Sequence, residues 1–354
     1  MLGKRFGRKT AHNYDSHTSA RSDYDGGYVK TDKLCDAKIL ITGGTGTFGR
    51  AFLDRCLEEG AAEVRILSRD EKKQYDMSQI YKSHKNVKFY LGDIRDKRVV
   101  DNAMYGVDYV FHAAAMKQVP SCEAFPMEAV ATNINGSNNV FSSAVQKHVK
   151  KVVCLSTDKA VYPTSAMGMT KAYMEKLALQ KAAENTRTEF VITRFGNLVA
   201  SRGSAVPLFI EQVENGLPIT ITNPAMTRFM MTVGEATDLV EQAFNIGRNG
   251  DLLVKQAPSC STGDLAKAVC KYLNLPEDYP TEIIGSRPGE KMHESLLTEE
   301  EAEFATVVGN FIVVAKRYED VETLGVPYTS DTAQRMSEDE ALALIENVFR
   351  GGAN

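Results

Sequence analysis

Residues 38–49 read KILITGGTGTFG, and this stretch decides the fold. The apolar run Ile39-Leu40-Ile41 ends in a glycine-rich turn, and the residues from Phe48 to Glu59 have the pattern of a helix that Gly60 ends. Glycine lets the backbone turn sharply and approach a pyrophosphate, whose charge is met by the N-terminus of the following helix. The stretch therefore predicts a strand, a phosphate-binding turn and a helix.

The glycines of this turn have the spacing G-x-x-G-x-x-G, which departs from the G-x-G-x-x-G of the general dinucleotide fingerprint. The spacing resembles that of the short-chain dehydrogenase/reductases. We therefore predict a dinucleotide-binding turn with six contacting residues: Gly43, Thr45, Gly46, Thr47, Phe48 and Gly49.

Outward from this turn, short apolar runs alternate with helical segments. Helices are predicted over residues 128–147 and 166–184, and strands over Val64–Leu67, Val87–Leu91, Tyr109–Phe111, Lys151–Leu155 and Phe190–Thr193. Buried strands that alternate with helices predict an α/β fold with a doubly wound parallel sheet, the Rossmann arrangement.

Beyond Gly196 the alternation stops and turns become denser, so we expect a smaller, discontinuous C-terminal lobe. The run Asp251–Val254 is predicted to return to the sheet. A dinucleotide-binding domain of residues 37–195 plus about 225–260 is expected, with a substrate lobe of about 196–224 plus 261–354. The last helix is predicted to begin at Ser337, because Glu340 completes a capping box.

Composition excludes several classes of protein. The 354 residues are 43% hydrophobic and 25% charged with a net charge of −4, which makes nucleic acid an unexpected partner. No apolar stretch approaches the ~20 residues that span a bilayer. The six cysteines form no C-x-x-C pair, so we expect reduced thiols, no metal site and a cytoplasmic location. The polar residues 1–36 are expected to be a disordered leader or tag.

The residues after the second strand indicate which dinucleotide binds. An NAD site usually has an acid there, whereas this chain has Ser68 and Arg69 followed by Lys72 and Lys73. A guanidinium can pair with a 2′-phosphate, so NADP is favoured over NAD. The alternative, a solvated helix start, stays open because Asp70 and Glu71 lie among these cations.

Further strand ends supply the rest of the predicted cofactor site. Asp93, with the neighbouring Ile94, follows the third strand and is placed to accept a hydrogen bond from the adenine amino group. Ala113, Ala114 and Ala115 follow the fourth strand, where small side chains let the backbone pass close to the cofactor.

A methionine stands where the short-chain reductases carry their catalytic tyrosine. Their Tyr-x-x-x-Lys motif puts both side chains on one helix face, where the lysine holds the nicotinamide ribose and lowers the tyrosine pKa. Here Lys171 is present and the tyrosine position is Met167. Methionine cannot transfer a proton, so the pattern disfavours a 4-epimerase that depends on a phenolate and leaves a non-catalytic NADP-binding scaffold open.

Several longer motifs together resemble one family, the inverting UDP-N-acetylglucosamine 4,6-dehydratases of the extended short-chain class. They are STDKAVYP at 156–163, AMGMTK at 166–171, RFGN at 194–197, ASRGS at 200–204 and MTRF at 226–229. The resemblance runs from about Lys38 to Thr298 and is closest to the methionine-bearing enzymes of N-acetyl-L-fucosamine pathways. It implies homo-oligomers and a substrate that loses water across carbons 5 and 6 while carbon 5 is inverted.

The acid and base follow the fifth strand. Lys159 is the predicted base, an uncharged amine near a second cation such as Lys171, and Asp158 is the acid if burial raises its pKa. Adjacent residues of a strand point oppositely, so a bend after the strand is required. With Met167 inert, the proton of the carbon 4 hydroxyl must pass through Thr157, Asp158 or a water on Lys171, and the sequence leaves these routes open.

The resemblance also implies the residues that bind the nucleotide sugar. Arginine forks suit phosphates and ribose, an asparagine can donate to the diphosphate, and a glutamate can accept from the uridine ribose hydroxyls. The candidates are Lys117, Asn197, Arg202, Arg228, Arg287 and Glu290.

Overall fold

The computed structural model describes residues 32–184, 187–199, 201, 203–276, 278–315 and 322–350. Apolar, largely β-branched and aromatic runs form its strands, which are numbered in chain order. They are β1 Lys38–Thr42, β2 Glu63–Ser68, β3 Val87–Leu91, β4 Tyr109–His112, β5 Lys151–Leu155, β6 Glu189–Arg194, β7 Asn197–Leu198, β8 Ile219–Ile221, β9 Thr227–Met231, β10 Leu252–Lys255, β11 Ser259–Ser261, β12 Thr281–Ile283, β13 Ala305–Val308 and β14 Phe311–Val314.

A nine-stranded sheet in the order β13-β14-β10-β6-β5-β4-β1-β2-β3 forms the centre of the molecule. Seven neighbouring strands from β3 to β10 are parallel, and β14 then pairs with β10 and β13 in antiparallel register. This confirms the predicted α/β, doubly wound class and the predicted return of residues 251–254 to the sheet. The chain order reverses between β1 and β4, where the carboxyl ends of parallel strands form a ligand-binding crevice.

Helices cover both faces of this sheet and build the second lobe. They are α1 Thr47–Glu58, α2 Glu71–Ile80, α3 Lys97–Met104, α4 Val119–Ala124, α5 Pro126–Ala129, α6 Ser137–Gln146, α7 Ala166–Ala183, α8 Ala205–Glu214, α9 Val233–Asn245, α10 Thr262–Tyr272, α11 Glu299–Ala302 and α12 Glu338–Arg350. The continuous helix predicted over 128–147 is divided, because the π-helix Val130–Gly136 lies between α5 and α6.

A second hydrophobic core lies outside the large sheet. It joins α8, α10 and α12 around buried residues such as Phe209, Val269 and Ile345, beside the three-stranded sheet β11-β9-β7 and the pair β12-β8. The domain boundaries stay a prediction. The structure differs in one respect, since β13 and β14, placed in the smaller lobe from sequence, pair with the large sheet.

The chain ends and the cysteines complete the comparison with the sequence. Residues 1–31 of the expected leader lie outside the described residues, but Asp32–Leu34 form a 3-10 helix and Leu34 is buried. Ser337 and Glu340 form the predicted capping contacts of α12. All six cysteines are free thiols. Among the described residues, no helix is long and apolar enough to cross a membrane.

Candidate active site

The glycine-rich turn has the backbone geometry of a phosphate cradle. Gly43 has φ +69°, and a Cβ on it would lie 2.8 Å from the backbone of Ala114. A Cβ on Gly49 would lie 2.5 Å from the Cα of Gly44, so the first turn of α1 packs directly on the loop. The N-cap of α1 is Gly46, which has no side chain to cap the first amides of the helix, so these amides can face an anion. The turn fits the pyrophosphate of a dinucleotide.

Two charged residues, Arg69 and Asp93, lie close together in the part of the site predicted to bind the adenosine of the cofactor. Arg69 is half exposed, and its guanidinium lies 3.6 Å from the Asp93 carboxylate, which Arg95 also binds at 2.7 Å. Lys72 and Lys73 pair instead with Asp76 and Asp70 of their own helix region. Of the three predicted cations Arg69, Lys72 and Lys73, Arg69 is thus the one that faces Asp93, which follows the end of β3.

The remaining predicted cofactor residues lie around the same crevice. The hydroxyls of Thr45, in the glycine-rich turn, and Ser68, at the end of β2, lie 2.7 Å apart. Ile94 is buried in the main core. The alanines 113–115 continue from β4, and the amide of Ala113 donates to the carbonyl of Thr42.

Helix α7 presents Met167, Lys171 and Glu175 at four-residue spacing on a buried face. Met167 is 4% exposed and packs against Cys122 and Ala129, so its environment is apolar. The amine of Lys171 donates to the carbonyl of Leu155, and burial lowers its pKa to about 8. The lysine therefore lies at the end of β5, where a nicotinamide ribose hydroxyl could accept from it.

A 3-10 turn, Asp158–Ala160, supplies the bend that the acid and base require. The amine of Lys159 lies 3.1 Å from Oδ1 of Asp158, and the Thr157 hydroxyl donates to the same oxygen at 2.8 Å. Asp158 is 1% exposed, and its Oδ2 has no hydrogen-bond partner among the described residues. An orphaned carboxyl oxygen at the end of a central strand is suited to a reacting hydroxyl.

A second carboxylate changes the charge state expected of Lys159. Glu294 is 2% exposed, and its Oε1 lies 3.5 Å from the Lys159 amine. Burial alone would lower the pKa of Lys159, but Asp158 and Glu294 raise it above its ordinary value. The structure thus differs from the predicted uncharged amine, because the lysine lies between two acids. Burial raises the pKa of Asp158, as the acid role requires.

The segment that carries Glu294 is held against the 3-10 turn. The amine of Lys291 donates to the carbonyl of Val161 at 2.9 Å and lies 2.9 Å from the Glu294 carboxylate. The Thr164 hydroxyl donates to the carbonyl of Gly289. The sequence analysis did not identify Lys291 and Glu294, because no local pattern links them to residues some 130 positions earlier. The available signal was a charged residue, Glu294, close to the buried Leu296.

The predicted substrate residues do not all meet. Asn197 and Arg228 line one narrow pocket with Val199, Met230 and Cys260. Lys117 is exposed in the loop after β4, and Arg287 is exposed with its amide donating to Glu290. Arg202 lies outside the described residues.

Arg228 also contacts the acid–base cluster. Its guanidinium donates to the carbonyl of Thr227 at 2.7 Å and lies 4.0 Å from Glu294. It therefore lies between the narrow pocket and Glu294.

Behind the turn, a buried ion-pair network fixes the end of β5. Arg194 forms a bidentate pair with Glu175 and a second pair with Glu301. The Ser156 hydroxyl donates to Glu175. Satisfied networks of this kind hold one geometry, because breaking one partner leaves a buried charge.

Comparison with known proteins adds the following. A family model described as "Polysaccharide biosynthesis protein" matches residues 39–316. The chain is 46% identical over 331 residues to a protein of Rickettsia bellii named UDP-glucose 4-epimerase, covering 88% of this chain and 96% of that protein. A protein of Rickettsia typhi with the same name is 45% identical over 328 residues, with coverage of 88% and 95%.

Among solved structures, the X-ray structure of Pen from Bacillus thuringiensis superposes with a TM-score of 0.84 at 37% identity, covering 89% of this chain and 98% of that one. DesIV from Streptomyces venezuelae, a dTDP-glucose 4,6-dehydratase with NAD bound, has a TM-score of 0.65 at 21% identity, covering 72% and 86%. The second likeness concerns the fold alone.

Proposed function

Because the chain belongs to the polysaccharide biosynthesis protein family, we propose that it is a nucleotide-sugar dehydratase that acts on UDP-N-acetylglucosamine. The reaction removes water across carbons 5 and 6, oxidises carbon 4, reduces carbon 6 and inverts carbon 5. NADP is the proposed cofactor, and the proposed enzyme is a cytoplasmic homo-oligomer. The product is a UDP-linked 2-acetamido-2,6-dideoxy-4-keto-hexose.

The observation that carries this proposal is the buried Asp158–Lys159 pair at the end of β5. Asp158 has an orphaned oxygen, and Lys159 lies 3.1 Å from the other one. An acid and an amine in contact can move protons at two neighbouring substrate positions, which a dehydration needs. An epimerase that depends on a tyrosine has no use for this pair, and the tyrosine position holds the buried Met167.

The proposed division of labour follows from the contacts. When bound, the nicotinamide accepts a hydride from carbon 4 and returns it to carbon 6. Lys171 donates to the nicotinamide ribose, and Asp158 gives a proton to the departing carbon 6 hydroxyl. Lys159, which Glu294 favours as an ammonium ion, first gives its proton to solvent and then takes the proton of carbon 5. The proton of the carbon 4 hydroxyl leaves through Thr157, Asp158 or a water on Lys171. Carbon 5 takes a proton from water on its opposite face when the hydride reaches carbon 6, and Asp158 regains its proton from solvent. Thr157 donates to Asp158 and keeps that carboxyl oriented.

The second candidate function is a UDP-sugar 4-epimerase, which the names of the Rickettsia relatives favour. Such an enzyme must remove the proton of the carbon 4 hydroxyl, for which Thr157, Asp158 and a water on Lys171 are the routes in this chain. A non-catalytic NADP-binding scaffold is the third reading, suggested by Met167 alone.

Proton NMR of a reaction in heavy water separates the three functions. With UDP-N-acetylglucosamine and NADP, a dehydratase gives a new carbon 6 methyl signal and deuterium at carbon 5. A 4-epimerase gives the galacto-configured sugar from UDP-N-acetylglucosamine or UDP-glucose without a methyl signal and without deuterium. Unchanged spectra for both sugars would support the scaffold and contradict the proposal.

Replacing Lys159 with alanine tests the assigned chemistry. We expect turnover of Lys159→Ala to fall by roughly 10²-fold or more, because a positioned base contributes that much, while NADP affinity stays within twofold. Turnover and cofactor titration by fluorescence measure the two effects. Lys82→Ala, at an exposed lysine on the same domain, is the control and should keep full turnover. Parental turnover in Lys159→Ala would reject the mechanism.

A further inference from the structure

Glu294 belongs to the acid–base cluster although it lies 135 positions after Lys159. Its side chain is 2% exposed, and its Oε1 lies 3.5 Å from the Lys159 amine. Three cations face its carboxylate: Lys159, Lys291 at 2.9 Å and Arg228 at 4.0 Å. A carboxylate this deeply buried persists only with such partners.

Backbone hydrogen bonds on both sides hold the segment around Glu294 in place. The amide of Glu294 donates to the Ser330 hydroxyl at 2.8 Å, and the amide of Ser330 donates back to the Glu294 carbonyl at 2.8 Å. The neighbouring His293 is 2.8 Å from the Thr227 hydroxyl. The position of the charge is therefore built into the fold.

Three groups share the protons of this cluster: Asp158, Lys159 and Glu294. Although burial raises the pKa of Glu294, its three cations lower that pKa below the ordinary value. Burial and the Glu294 charge raise the pKa of Asp158. The two carboxyl groups thus compete for the Lys159 ammonium, and Glu294, which has two further cations beside it, is the one whose surroundings favour the ionised form.

We propose that Glu294 is a positioning residue whose carboxylate holds Lys159 as an ammonium ion between two acids and so determines the pH at which the lysine can act as a base. The inference rests on the proposed role of Lys159. It adds that the acid–base unit is a triad, and that its third member comes from the C-terminal part of the chain.

Competitive acetylation measures the charge of Lys159 without any substrate. Protein is treated with acetic anhydride between pH 7 and pH 11, and the rate at each lysine is read by mass spectrometry, relative to the exposed Lys82. Only the neutral amine reacts. In Glu294→Gln the normalised rate at Lys159 at pH 9 should rise about tenfold, since loss of one neighbouring charge shifts a pKa by about one unit. An unchanged rate would overturn the proposal.

Two further variants separate charge from structure. Glu58→Gln makes the same chemical change at an exposed carboxylate that pairs with Arg55, away from the cluster, and should leave the Lys159 rate unchanged. Glu294→Asp keeps the charge and should keep the rate within about threefold of the parent. If Glu294→Gln does not fold, the pH dependence of acetylation in the parent protein is the test. Lys159 should become reactive at a higher pH than Lys82, and reactivity of Lys159 at a lower pH than Lys82 would overturn the proposal.

The pH dependence of turnover tests the same proposal in the catalytic reaction. In Glu294→Gln the acid limb of the kcat/KM profile should move about one unit towards lower pH, whereas a purely structural defect would lower the rate without moving the limb. Absence of turnover with UDP-N-acetylglucosamine in the parent would contradict the proposed function, while the acetylation result would still decide the role of Glu294.

Discussion

Met167 shows how a single residue changes the chemistry open to a helix. Its side chain packs on Cys122 and Ala129, four residues before Lys171, where a tyrosine would otherwise meet the substrate. A thioether can fill such a space but cannot carry a proton. The proton transfers of the proposed reaction are therefore left to the residues of the 3-10 turn.

Replacing Met167 by leucine tests whether the sulfur has any chemical role. Leucine conserves the volume, so Met167→Leu should keep turnover within about threefold and cost less than about 1.5 kcal/mol of unfolding free energy. Turnover and urea denaturation give the two values. A loss of turnover beyond tenfold with unchanged stability would show that the methionine acts on the substrate.

Arg69 is the residue on which cofactor preference is predicted to depend. Its half-exposed guanidinium faces Asp93 beyond the end of β2, where the 2′-phosphate of NADP is proposed to bind. Arg69→Ala should weaken NADP binding by about tenfold or more, since a charge-assisted hydrogen bond contributes about 1.5–3 kcal/mol, and leave NAD binding unchanged. Isothermal titration with both dinucleotides measures this. Lys72→Ala is the control, because Lys72 pairs with Asp76 of its own helix.

At the scale of elements, the junction between β1 and α1 has little freedom. Gly49 lies in the first turn of α1 with Gly44 beneath it. Because the obstructing atoms are backbone, no side-chain movement can make room for a larger residue. The helix and the loop must move together, and the phosphate cradle moves with them.

Gly49→Ala should therefore reduce dinucleotide affinity by at least tenfold, as the added Cβ would meet the Cα of Gly44 at 2.5 Å. Gly234→Ala is the matched control, since the nearest atom to its Cβ would be a hydroxyl at 3.9 Å and alanine favours the helix α9. The shift in melting temperature on adding NADP measures the dinucleotide affinity of the two variants. Equal affinity in the two variants would contradict the tight packing described for the loop.

Elements differed in how well the sequence predicted them. The strands β1 to β6 are short apolar runs that end in turns, so their presence was predictable from local pattern. The π-helix Val130–Gly136 was not, because one extra residue per turn leaves no local signal. The antiparallel pair β13-β14 was also missed, since its place in the sheet depends on β10, more than 50 residues earlier.

At the scale of the whole molecule, the candidate site has one part that local sequence patterns predict and another that depends on contacts between distant segments. The phosphate cradle and the Asp158–Lys159 turn are contiguous motifs and could be recognised from the sequence. Lys291 and Glu294 could not, because contacts between distant segments decide their roles. For this reason the sequence analysis predicted an uncharged amine at Lys159, whereas the surrounding carboxylates favour the ammonium ion.

Stability of the whole molecule should fall in mild acid through His112. Its ring is held between the hydroxyls of Thr42 and Ser137, and burial lowers its pKa to about 3. The unfolded chain binds a proton near pH 6.5, whereas the folded chain does not until about pH 3. One more proton is therefore bound on unfolding, and the unfolding free energy falls by about 1.4 kcal/mol per pH unit across this window.

Urea denaturation at pH 6, 5 and 4 tests this linkage. His112→Gln should reduce the pH slope of the unfolding free energy by about 1.4 kcal/mol per unit compared with the parent, whatever its effect on absolute stability. His84→Gln, at a surface histidine, should keep the parental slope. A parental slope in His112→Gln would mean that the buried ring takes no part in acid unfolding.

The bond from the Lys291 amine to the carbonyl of Asp158 spans 133 residues of chain. A ribosome adds 5–20 residues per second, so these two positions leave it on the order of ten seconds apart. A nascent polypeptide has by then exposed its glycine-rich loop and the acid–base turn, but not Lys291, Glu294 or the antiparallel strands β13 and β14. The acid–base cluster can thus be completed only late in synthesis, after the segment that carries Lys291 and Glu294 has been added.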